Sequence, residues 1–65
     1  MNKITRGLYE HKGFYLVQQG SRDWVAFQFR EDAQALLVGG KPLEAPDFIH
    51  NTLRDLVLFM DQELR

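Results

Sequence analysis

The chain has no cysteine among its 65 residues, only two prolines, one serine and two histidines, and no apolar run longer than the five residues Leu56 to Met60. Each shortage excludes something. Without cysteine there are no disulfide staples, thiol nucleophiles or cysteine-based zinc sites, and the composition fits a reducing, cytoplasmic setting. A bilayer-spanning helix needs about 20 apolar residues, so no membrane span is expected, and the mixed charged and apolar stretch Met1 to Glu10 does not resemble a secretory leader. The only serine, Ser21, sits in a turn-like context. His11 and His50 are 39 positions apart with no ligand-spaced companion, so no metal, cofactor or catalytic constellation is expected and the chain reads as non-enzymatic. Gly39-Gly40-Lys41 lacks the spacing and the following Ser or Thr of a phosphate loop and reads as a helix cap.

What is present is ordinary for a globular chain: 45% hydrophobic, 26% charged and 12% aromatic residues. The length allows one domain. A chain of this size buries only about 60% of the surface its unfolded form exposes, and without staples oligomerisation is a usual remedy. The formal net charge is −1, but residues 1–30 carry five basic groups against two acidic ones, while residues 31–65 carry three against seven.

Aromatic and branched residues in Phe14-Tyr15-Leu16-Val17 and Trp24-Val25-Ala26-Phe27 predict a hairpin. A two-residue turn at Gly20-Ser21 would place Val17 opposite Trp24, Leu16 opposite Val25 and Phe14 opposite Phe27. A preceding strand from about Ile4 to Tyr9, joined through His11-Lys12-Gly13, would set Leu8 beside Leu16 and Tyr9 beside Tyr15. One face would then carry Leu8, Phe14, Leu16, Val25, Phe27 and Phe29 as core; the other would carry Tyr9, Tyr15, Val17, Trp24 and Ala26. Beyond Phe29 the period lengthens. A short helix is expected over 31–38, a linker over 39–46 with Pro42 and Pro46, and a longer helix over 48–63 capped by Asp47. The expected fold is therefore α+β: a three-stranded antiparallel β-meander over 4–29 followed by two helices packed on one of its faces, all in a single domain.

The last helix would be over-supplied with apolar residues. Ile49, Leu53, Leu56, Met60 and Leu64 form its stripe, and Val57, Phe48 and Phe59 widen that to an arc of about 180° where about 100° suffices. Phe48, Leu58 and Phe59 are accordingly expected at a subunit or partner interface, which makes the chain a protein-interaction or regulatory module that forms a homodimer or binds a larger protein. An acidic surface from Glu44, Asp47, Asp55, Asp61 and Glu63 would suit a small regulator of a nucleic-acid-binding protein.

The alternative is DNA or RNA binding through the sheet, with Tyr9, Tyr15 and Trp24 as a stacking face and Lys12, Arg22 and Arg30, together with Lys3 and Arg6, near its strand ends. Three strands followed by a helix over residues 4–38 resembles the small sheet-based DNA-binding domains of the plant APETALA2 type and the arm-binding domains of phage integrases, which implies duplex contact through the sheet. Those domains are strongly basic; this chain, with pI near 6.0, departs from them.

Overall fold

The turns decide how the strands pair. In the computed structural model, which describes residues 1–64, β1 (Asn2–Thr5), β2 (Leu8–His11), β3 (Phe14–Gln19), β4 (Asp23–Phe27) and β5 (Phe48–His50) form one antiparallel sheet in chain order. Between β2 and β3, Lys12 (φ 52°) and Gly13 (φ 84°) both take positive φ, the signature of a two-residue hairpin turn whose twist matches its strands. His11 therefore stays in the ladder opposite Phe14, and Leu8 pairs with Val17 rather than Leu16. Between β3 and β4 the connection spans Gly20, Ser21 and Arg22, one residue longer than the expected turn, so Val17 faces Val25 and Leu16 faces Ala26.

Each slip is one residue, and because side chains alternate, their joint effect is to turn β3 over relative to both neighbours. Phe14 and Leu16 leave the face expected to hold Leu8, Val25 and Phe27, while Tyr15 and Val17 join it. The strand tolerates this because Phe14-Tyr15-Leu16-Val17 is apolar in both phases.

The glycine pair ends the short helix as expected, and the chain next departs from expectation after the linker. α1 (Arg30–Leu37) ends in a Schellman arrangement, with Gly40 N–H donating to the Ala35 carbonyl (2.7 Å) and Gly39 N–H to that of Leu36 (3.1 Å), Gly39 holding φ 86°. Residues 48–50, expected inside the last helix, instead form β5, paired along β4 with Ala26 opposite Phe48 and Val25 opposite Ile49. Asp47 does not cap a helix; its N–H donates to the Ala26 carbonyl (2.9 Å) and opens the strand. The cap of α2 (Leu53–Glu63) is Thr52, whose Oγ1 accepts from Asp55 N–H at 3.0 Å. The sheet thus has five strands where three were expected.

The helices do not share a face. α1 lies on the side carrying Leu8, Val17, Val25 and Phe27, where Ala33 and Leu36 meet them with support from Ile4 and Tyr15. α2 lies on the opposite side, where Leu56 and Met60 pack on Leu16 and Ala26, rimmed by Tyr9, Phe14, Trp24, Phe48, Leu53 and Val57. A sheet apolar on both sides needs cover on both, and the result is three layers, helix, sheet and helix, with β3 and β4 in the middle. Among the described residues no helix is long and apolar enough to cross a membrane.

Candidate functional site

The expected stacking face does not come together. Tyr9 and Trp24 meet edge to face (centroids 5.9 Å apart, 60°) beneath α2, both partly buried, whereas Tyr15 points to the α1 side. The expected cations are likewise dispersed. Consecutive hairpin turns fall at opposite ends of a sheet, which separates Lys12 from Arg22; Arg30 is the first residue of α1. Lys12 is engaged with the end of α2, its Nζ 3.9 Å from Asp61 Oδ1 and 3.5 Å from the Leu64 carbonyl. His11 Nε2 sits 2.6 Å from the same carboxylate oxygen, so the β2–β3 turn and the last turn of α2 are tied at one point. Arg22 lines a polar groove of about 500 Å³ with Asp23 and Asn51.

Nearby, Glu10 accepts from Gly13 N–H (3.0 Å) and from Asn2 Nδ2 (3.2 Å). These bonds favour its charged form and hold its carboxyl below the ordinary value of 4.5, the Gly13 amide contributing most. The bond with Gly13 reinforces the turn that sets the β2–β3 register. Among the described residues, no three His, Cys, Asp or Glu side chains gather closely enough to hold a metal ion.

The residues expected at an interface separate in the same way. Phe48, now in β5, stacks edge to face on Phe14 (5.4 Å) and on Phe59 (5.5 Å), and His50 lies 4.7 Å from the Phe59 ring. This half-buried aromatic row joins β3, β5 and α2, so Phe48 and Phe59 spend their apolar area inside the molecule. Leu58 alone of the three projects outward, 50% exposed. It borders a shallow groove of about 340 Å³ whose other walls are Met1, Leu53, Arg54 and Val57.

No family model, no curated protein and no solved structure matches the chain.

A second surface was not visible in the sequence. Leu43, placed in a linker, stands 94% exposed beside Phe29, which is 50% exposed. Between them is a cleft of about 230 Å³ completed by Glu31, Asp32 and Glu44. Asp32 is 5% exposed, and its Oδ1 accepts from Leu43 N–H at 3.0 Å. The available signal was a single leucine between two prolines, following an aromatic residue where a helix cap belongs.

Proposed function

We propose that the protein is a small non-enzymatic interaction module that pairs with a second copy of itself through the outer face of α2 and acts by binding a larger protein. The observation that carries the self-association is the Leu58 groove. Along α2, Arg54, Leu58 and Asp61 fall on one stripe, with Leu58 near the middle of a span of about 10 Å. A two-fold axis through Leu58 brings two helices together antiparallel and packs the two leucines against each other, with Val57 and the stem of Arg54 beside them. Such an apolar patch is self-complementary, as a two-fold interface requires.

The area fixes the expected strength. A standard interface removes roughly 800 Å² from each partner, and the whole chain exposes 4531 Å². One groove on an 11-residue helix supplies less than that, so a reversible, concentration-dependent dimer is expected. Sedimentation across the micromolar range tests it. The expected result is a mass that rises with concentration for the parent and stays monomeric for Leu58→Glu. A parent that remains monomeric throughout, or a Leu58→Glu chain that associates equally well, overturns the reading. Leu58 lies on the outside, so its replacement leaves the fold in place, which circular dichroism checks.

A further inference from the structure

We propose that the cleft between Phe29 and Leu43 is a second docking surface, separate from the α2 groove, and that its occupant is an apolar side chain carried on a basic segment of a larger protein. The inference rests on the reading that the chain works by contact, and it names the chemistry of the partner.

Three observations meet at this cleft. Phe29 occupies the N-cap of α1, with extended backbone and no side-chain bond to the helix. A serine, threonine, asparagine or aspartate there would satisfy an orphan amide. Phenylalanine forgoes that bond and also leaves half its ring in water, so neither helix formation nor core packing accounts for it. Leu43, in turn, is held out rather than left loose. Its amide is bonded to the buried carboxylate of Asp32, and the loop is fastened on either side by Gly40 N–H to Ala35 and Asp47 N–H to Ala26. A nearly fully exposed leucine on an anchored backbone is presented in one place, which lowers the ordering cost of binding.

The third observation is charge. The polar residues lining the cleft are Glu31, Asp32 and Glu44, all acidic, and among the described residues no lysine or arginine lines it. A side chain seated between Phe29 and Leu43 excludes water from both, while Lys or Arg on the same segment faces Glu31 and Glu44 on the rim. An acidic segment would meet like charge at every polar contact. The occupant that satisfies both the apolar and the charged parts is an amphipathic basic segment.

The test is fluorescence anisotropy with a fluorescein-labelled amphipathic leucine–lysine peptide, its leucine–glutamate counterpart serving as control. The lysine peptide is expected to bind the parent and the Leu58→Glu chain alike. Leu43→Ser and Phe29→Ser should each weaken binding by about tenfold or more, as loss of one large apolar contact implies. Val38→Ser, at another exposed apolar residue outside the cleft, should leave it unchanged. Replacing Glu31 and Glu44 by Gln should flatten the salt dependence. Phe29→Ser places a hydroxyl where it can cap α1, and a melting curve run beside the binding measurement separates lost binding from unfolding.

Absence of binding, equal binding of the glutamate peptide, or indifference to Leu43→Ser overturns the proposal. So does a Leu43→Ser chain that loses self-association, since the cleft's occupant would then be a second copy. A peptide that fails to bind while the chain still dimerises counts against the cleft alone; a monomeric parent that binds it counts against the α2 interface alone.

Discussion

Phe27 and Phe29 lie two residues apart and, on alternation alone, belong to the same inner face. The structure gives them opposite fates: Phe27 is 1% exposed against Leu8, Val17, Val25 and Ala33, whereas Phe29 has left the strand and caps α1 half in water. Truncation to alanine separates the two. Removing a fully buried phenylalanine costs about 3–5 kcal/mol, from lost burial and from the cavity left behind. At roughly 0.05–0.15 kcal/mol per residue, a chain of this length has about 3–10 kcal/mol of stability in total. Phe27→Ala should therefore remove about 30% or more of it and lower the melting temperature by about 12 °C at least. Phe29→Ala loses no cap bond and only about half the area that Phe27 buries, and should cost clearly less, about 1–2 kcal/mol. Urea unfolding followed through the single tryptophan, Trp24, measures both, since that ring is partly buried beneath α2 on the side of the sheet away from Phe27 and reports the whole molecule. All variants should be compared at one protein concentration, because self-association would add to apparent stability. If Phe27→Ala proves too unstable to fold, Phe27→Leu provides the graded version. A Phe27→Ala chain within about 1 kcal/mol of the parent, or a Phe29→Ala chain equally damaged, refutes this account of the core.

Two further outcomes are expected. Thr52→Ala removes the bond to Asp55 N–H and should destabilise the fold by about 1 kcal/mol, whereas Asp47→Ala should cost less because Asp47 contributes its backbone and caps nothing; parallel denaturation curves decide it. The Glu10 carboxyl is held below its ordinary value of 4.5, so its contribution to stability is present above that pH and is lost as pH falls through the depressed folded value. Glu10→Gln should consequently flatten the acid limb of a pH–stability profile and leave neutral pH little changed, and an acid limb identical to the parent's would contradict the role assigned to the Gly13 and Asn2 bonds.

The sequence made the architecture legible in outline: strands first, a short helix ended by Gly39 and Gly40, and an amphipathic C-terminal helix. Register was not legible, for a physical reason. Alternation fixes pairing when one face is polar, but Phe14 to Val17 is apolar throughout, and a one-residue shift merely exchanges one buried face for the other. The choice then falls to Lys12-Gly13 and Gly20-Ser21-Arg22, whose backbone angles a pattern of hydrophobicity does not report. β5 was hidden because Phe48 and Ile49 fit a helical stripe as well as a strand and Asp47 after Pro46 has the residue type of an N-cap, whereas the helix begins five residues later behind Thr52. The apparent excess of apolar surface on the last helix came from counting those two residues with it. Of the apolar residues of α2 itself Leu58 is left exposed, while Ile49 on β5 and Leu43 in the linker are exposed outside it.

Because β3 and β4 are shared between the two helical layers, neighbouring residues belong to different cores: Leu16 to one and Val17 to the other, Ala26 to one and Val25 to the other. Neither layer can lift away without undressing strands on which the other depends. The amides of these four residues should accordingly exchange with solvent only through complete unfolding, with one common opening energy, and no half-folded species should accumulate between the native and denatured chains.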